Sequence, residues 1–313
     1  MTHSPLAAPS ATIDVLKRWG LHTKKSLGQH FLVDDNVVGK ILALAEVGED
    51  DCILEVGPGI GTLTAGLLAR NASVIAIERD PDLPPVLREN VADVLWDDAR
   101  RFSLIEADAL DVDEGVLTDA AARLERPELP RKFVANLPYA VAATIVLDYL
   151  QRFAFIETMC IMVQSEVAAR MCAEPGSKDY GAYSVKIALL AEAAGSFAVG
   201  PQSFLPPPRV DSTVIRLDRR MRETDADGND AAILEDACLM ADAAFYQRRK
   251  TIRNSIGSFL ASKGHPKGLV DELLATASID PRSRGESHPP EAYLALGKAY
   301  HAMRNLPPSP ISH

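Results

Sequence analysis

Asn136-Leu137-Pro138-Tyr139 sets an amide, a proline and an aromatic ring directly after the apolar run Lys132-Phe133-Val134-Ala135. The Asn136 side-chain carbonyl is a hydrogen-bond acceptor. Pro138 has no backbone N–H and biases Leu137 toward extended conformations. Tyr139 offers a stacking face. Such a set can grip a flat base that carries an exocyclic amine. The same four residues also read as an ordinary strand-to-turn junction, with Asn and Pro as turn formers.

Residues upstream weigh toward chemistry. Glu55-Val56-Gly57-Pro58-Gly59-Ile60-Gly61 follows an apolar run and opens a helical pattern. Glycines let a backbone turn sharply and approach a ligand closely. This position matches the nucleotide crevice of a doubly wound sheet. The spacing is Gly-x-Gly-x-Gly rather than the dinucleotide Gly-x-Gly-x-x-Gly, and Pro58 removes an N–H that a pyrophosphate would use. Both details point to a ligand without phosphates, with S-adenosylmethionine (SAM) the leading candidate. Glu78, seventeen residues after Gly61, ends the next strand-like run and can accept from both ribose hydroxyls. Asp108 follows the third run and can accept from an adenine amino group. Either acid alone also reads as a solvated loop carboxylate. Glu55 is unusual in an apolar strand; it either orders the loop or faces the methionine ammonium of the ligand.

These groups need a frame that brings strand ends together. Strand-like runs are predicted at 52–56, 73–78, 102–105, 132–135 and 158–163, with helices at 36–45, 61–70, 81–91 and 164–173. Their alternation argues for an α/β fold with a parallel sheet covered on both faces. Two late strands, 197–199 and 213–217, fit an antiparallel edge pair around the proline-rich stretch 204–212. The expected division is a flexible tail over 1–12, a catalytic domain over 13–218, a charged linker over 219–230 and a small all-helical domain over 231–313. Residues 231–259 read as helix with a break near Gly257.

The 313 residues carry a net charge of -10, which taken alone argues against nucleic acid as a partner. The charge is uneven, however. Lys24 and Lys25 lie in one basic cluster, and Arg248, Arg249 and Lys250 in another. The four cysteines form no CxxC and no metal-ligand spacing, so reduced thiols in a cytoplasmic protein are expected. No apolar run approaches the length of a membrane span. A monomer is the default expectation.

Five segments together resemble the bacterial 16S ribosomal RNA adenine dimethyltransferase family. They are 24–32 (Lys-Lys-Ser-Leu-Gly-Gln-His-Phe-Leu), the glycine loop, Asn136–Tyr139, the stretch from Phe204 through Pro206, Pro208 and Val210 to Ser212, and 245–254 with its Gln-Arg-Arg-Lys core. The resemblance spans about residues 15 to 300. It implies a Rossmann-like SAM-dependent methyltransferase with a small all-helical C-terminal domain. It places His30, Leu32, Gly57, Glu78, Asp108 and Asn136 around SAM, and Gln29, Glu55 and Gly59 are expected beside them. It implies that two adjacent adenosines, in a hairpin near the 3′ end of small-subunit RNA, each receive two methyl groups at N6. Three positions depart from the family pattern: His30 where many members carry Asn, an apolar Ala140-Val141-Ala142-Ala143, and Gly285 in place of Ala.

The expected chemistry follows from the amine. The Asn136 side-chain carbonyl and the Pro138 backbone carbonyl accept the N6 hydrogens, directing the nitrogen lone pair at the methyl group. Tyr139 and Phe204 sandwich the base. Neither a metal nor a strong general base is called for. Lys24, Lys25, Arg248, Arg249 and Lys250 are expected at RNA phosphates. Three other functions share features with this chain: a large-subunit RNA methyltransferase, a non-catalytic assembly factor, and an NAD-dependent oxidoreductase, which the glycine spacing disfavours.

Overall fold

A computed structural model describes residues 2–22, 29–95, 99–220, 230–266 and 268–305. In chain order the elements begin with α1 (Pro9–Arg18), β1 (Phe31–Leu32), α2 (Asp35–Leu44), β2 (Cys52–Val56), α3 (Thr62–Leu68), β3 (Ser73–Glu78), α4 (Pro84–Leu95) and β4 (Phe102–Glu106). Then come α5 (Glu114–Ala121), β5 (Lys132–Asn136), α6 (Ala142–Arg152), β6 (Thr158–Gln164) and α7 (Ser165–Met171). α8 (Ala182–Leu190), β7 (Ala191–Val199), β8 (Phe204–Leu205) and β9 (Ser212–Arg219) follow.

Strands β2 and β3 are buried along their whole length, as strands covered by helices on both faces must be. The seven-stranded sheet has the order β4-β3-β2-β5-β6-β9-β7. β2 to β6 run parallel, and β9 is antiparallel to β6. A separate two-stranded pair joins β1 to β8, with Leu32 opposite Phe204. The core between sheet and helices includes Val38, Ile41, Leu42, Leu67, Val74 and Val134.

The N-terminal residues differ from the tail predicted over 1–12. The Asp35 carboxylate accepts from the backbone N–H groups of His3 and Ser4 at 2.8–3.0 Å. Ala7 joins the core, Thr12 is fully buried, and Pro9 is the first residue of α1 rather than a breaker.

The chain forms two compact units: Met1–Ala168 with Ala193–Arg219 build the sheet unit, and Ala169–Glu192 with Arg220–His313 build a second, helical one. The second unit therefore includes a mid-chain segment that the expected division leaves in the catalytic domain. Its remaining helices are α9 (Asp230–Phe245), α10 (Ile252–Ser262), α11 (Leu269–Thr276) and α12 (Pro290–Arg304). Val185 and Leu189 of α8 pack with Ala241, Ile256, Leu273 and Leu296 in one core. The break expected near Gly257 lies earlier. Residues 246–251 interrupt the helix, Thr251 caps α10 by accepting from the Asn254 N–H, and Gly257 is inside α10. Where α9 crosses α12, a Cβ at Gly297 would lie 2.6 Å from the Ala237 backbone nitrogen, so only glycine permits that approach.

Candidate active site

The chain lays down β2, β3 and β4 toward one edge, then β5 and β6 toward the other. A crevice opens outside the carboxyl ends of β2 and β5, where the winding reverses. Residues 29–32, 55–59, 77–80, 107–109 and 136–141 line it.

Gly57, Gly59 and Gly61 take φ values of 70°, 63° and 92°, a left-handed run that side chains resist. The run turns the loop back on β3. Gly57 N–H donates to the Ile77 carbonyl at 2.9 Å, and Gly59 N–H to Glu78 Oε2 at 3.1 Å. Glu78 Oε1 accepts from Asp80 N–H at 2.8 Å. Burial pushes the Glu78 carboxyl above its ordinary value, and these N–H bonds pull it back. Each Glu78 oxygen still has a lone pair for a ligand hydroxyl. Asp108 Oδ1 accepts from Leu110 N–H at 3.1 Å, and its Oδ2 pairs with Arg79 at 2.9 Å.

Glu55 is a lining residue of the cleft, 1% exposed, and accepts from Thr64 Oγ1 at 2.7 Å. Burial pushes its carboxyl up to about 8; the Thr64 bond opposes this and the nearby Glu78 charge adds to it.

At the end of β5, the Asn136 amide nitrogen donates to the His30 carbonyl at 3.4 Å. This orients the amide and leaves its oxygen as an acceptor. The Pro138 carbonyl already accepts from Val141 and Ala142 N–H, each at 3.1 Å. It therefore starts α6 and is not the acceptor expected from the sequence. No backbone donor among the described residues reaches the Leu137 carbonyl, and Leu137 lines the cleft. Tyr139 Oη shares a 2.6 Å hydrogen bond with Ser212 Oγ, which anchors the ring from β9. Burial raises the Tyr139 phenol. The His30 ring stacks on Tyr139 at 5.7 Å between centroids, and His30 Nδ1 lies 2.7 Å from the Pro206 carbonyl.

Residues 20–295 match the family model described as Ribosomal RNA adenine dimethylase. The chain belongs to that family. It is 41% identical over 297 residues to the Ribosomal RNA small subunit methyltransferase A of Moorella thermoacetica, covering 94% of this chain and 98% of that protein. Its counterpart in Thermobifida fusca is 39% identical, over 90% of this chain and 92% of its own. The crystal structure of a dimethyladenosine transferase from Plasmodium falciparum superposes with a TM-score of 0.70 at 20% identity, over 87% of this chain and 98% of that one. The 23S rRNA methyltransferase ErmE gives a TM-score of 0.58 at 27% identity, over 86% and 98%. As a member of the dimethylase family the chain is a SAM-dependent methyltransferase with a Rossmann-like sheet.

This dimethylase gathers Gln29, His30, Leu32, Glu55, Gly57, Gly59, Glu78, Asp108 and Asn136–Tyr139 around one cleft. Phe204 is not among them. It is 2% exposed and packs in the core under the β1–β8 pair, because its register opposite Leu32 turns it inward. The ring beside Tyr139 is His30. Lys24 and Lys25 lie outside the described residues. In the helical unit, Arg248 donates to the Lys178 carbonyl at 2.6 Å and the Tyr180 carbonyl at 3.2 Å, while Arg249 and Lys250 are exposed.

One further residue bears on the cleft without being singled out by the sequence: Asp80. Asp80 is 3% exposed and accepts from Gln29 Nε2 at 2.7 Å, joining the opening segment to the acid loop. It does carry a signal. An Asp two residues past a strand-end acid and just before a proline marks an Asx turn, here closed by Asp82 N–H at 3.1 Å. Thr62 and Ser212 close the glycine-loop and proline-rich motifs, and only their tertiary neighbours show what each does.

Proposed function

We propose that this dimethylase transfers methyl groups from SAM to N6 of two adjacent adenosines in a hairpin near the 3′ end of 16S rRNA, within small-subunit biogenesis. The observation that carries the reading is the Asn136 amide, held by the His30 carbonyl at the rim of a cleft whose other wall is the glycine loop and Glu78. The relatives in Moorella and Thermobifida, named for the small subunit, support the choice of RNA.

The cleft residues fit SAM. Glu78 and Asp108 offer acceptors to a ligand whose nucleoside end carries hydroxyls and an amine. The lining also offers Glu55, and Thr62 Oγ1, which is buried with no protein partner among the described residues. Gln29, His30, Glu55 and Asn136 would hold the methionine end, and Gly57, Gly59, Glu78 and Asp108 the nucleoside. SAM supplies an electrophilic methyl group and departs as S-adenosylhomocysteine.

The protein's own contribution is to aim the amine. An adenine N6 lone pair is delocalised into the ring and points nowhere useful. The Asn136 Oδ1 and the Leu137 carbonyl accept the two N6 hydrogens, which favours a pyramidal nitrogen facing the methyl group. Positioning of this kind can supply several kcal/mol, on the order of 7–11 at best. Tyr139, its hydroxyl fixed by Ser212, presents a face to the base; such stacking gives about 1–3 kcal/mol per base. The adenosine must leave its stack, which costs less in a loop than in a duplex. Arg249 and Lys250 contact RNA phosphates from the helical unit.

Incubation with labelled SAM and purified small or large ribosomal subunits, followed by mapping of modified adenosines, tests the reading. Label confined to dimethyladenosine in 16S RNA is expected. Label in 23S RNA instead would favour the activity named for the structure at TM-score 0.58.

A further inference from the structure

Three buried acids line the cleft. Glu55 is 1% exposed, Glu78 7% and Asp80 3%. Among the described residues, the groups bonded to them include a hydroxyl, backbone N–H groups and the Gln29 amide. Arg79, the described cation nearest in sequence, pairs with Asp108 at the mouth and is itself mostly exposed. His30 and Tyr139 complete the ionisable lining, with His30 Nδ1 turned to Pro206. Glu78 and Asp80 each accept from at least two N–H groups, which stabilise a carboxylate. Glu55 differs from both: its bond is to the Thr64 hydroxyl.

We propose that Glu55 is a proton-linked reader of ligand charge: it holds a proton in the ligand-free protein and releases it to solvent when the ammonium of the SAM methionine end enters the cleft. This rests on the assignment of the cleft to SAM. Two features of the site support it. Glu55 is buried near the carboxyl end of β2, two residues before Gly57, and lines the cleft assigned to SAM. Burial and the Glu78 charge both disfavour the bare carboxylate, holding the proton on to about 8. The proton leaves the Glu55 carboxyl for solvent as the ammonium arrives, so the cation meets a carboxylate rather than a neutral acid.

Calorimetric titration of the whole protein in buffers of different ionisation enthalpy reads this directly. Near pH 7, SAM and S-adenosylhomocysteine, which both carry the ammonium, are expected to release close to one proton per ligand. Methylthioadenosine, which has the nucleoside but no amino-acid end, is expected to release none. SAM affinity then weakens by up to about tenfold for each pH unit below about 8. Glu55→Gln is expected to abolish the proton release by SAM. SAM binding without proton release overturns the proposal, as does equal release by methylthioadenosine, or release by SAM but not by S-adenosylhomocysteine. The wild-type ligand comparison stands even if Glu55→Gln fails to fold. Failure of SAM to bind at all would instead reject the assignment of the cleft.

Discussion

Asn136 and Glu55 do opposite kinds of work in one cleft, and their replacement separates the two. Asn136→Ala removes an acceptor whose value is greatest as the amine reacts. Turnover is expected to fall by about 10²-fold or more, much further than SAM affinity weakens, by analogy with the loss of one oriented polar group in a preorganised site. Single-turnover methylation alongside SAM titration checks this; near-normal transfer would remove Asn136 from the mechanism. Glu55 bears on stability instead. Its folded value is raised by burial to about 8 from an ordinary 4.5, so between those limits the folded protein holds a proton that the unfolded chain has lost. That contribution is complete below 4.5 and is lost as pH rises toward 8. Relative to wild type, ligand-free Glu55→Gln is therefore expected to gain stability at about pH 8 over about pH 5. Denaturant midpoints at the two values measure it, and a difference that shrinks with rising pH would contradict the assignment.

Strands buried on both faces are legible in the sequence, and elements whose form is decided by distant neighbours are not. β2 and β3 are legible because a strand buried on both faces is an unbroken apolar run. The glycine loop is legible because three left-handed residues leave little choice of side chain. α8 is not: its sequence, Ala-Tyr-Ser-Val-Lys-Ile-Ala-Leu-Leu, is apolar nearly all round, so no periodic stripe separates it from a strand. α1 is masked by Pro5 and Pro9, and its anchoring to Asp35 spans 31 residues. Phe204 escapes for a related reason, since an aromatic in a proline-rich loop shows no register until β8 pairs with β1. The Pro138 carbonyl looks free in the sequence because nothing there shows that the following helix claims it. Two replacements probe elements directly. Asp35→Ala frees the two amides it holds and is expected to cost roughly 1–3 kcal/mol of unfolding free energy. Gly297→Ala forces α12 away from α9 and is expected to cost about 1–3 kcal/mol. Urea midpoints check both, and an unchanged midpoint for Gly297→Ala would mean that the crossing is not tight.

The whole molecule carries a net charge of -10, so its attachment to RNA must depend on local basic groups against an unfavourable background. Replacing Arg249 and Lys250 with Ala is expected to weaken small-subunit binding. It should also flatten the logarithmic salt dependence by roughly one for each phosphate no longer neutralised. Binding measured at several salt concentrations decides this, and an unaltered slope would place the RNA elsewhere. Arg248→Ala is a poor probe, because Arg248 ties the segment at Lys178 and Tyr180 to the Gln-Arg-Arg-Lys turn.

That segment has a consequence for synthesis. Tyr180, Val185 and Leu189 leave the translating ribosome well before α9 and α12, whose residues they pack against. At the usual rate of elongation, roughly ten seconds pass before the last of these partners is made. Through that interval the nascent chain carries an apolar helix whose core is incomplete. Stalling or truncation between residues 193 and 230 would strand it there, and such a product would be a substrate for chaperones rather than a free-standing catalytic domain.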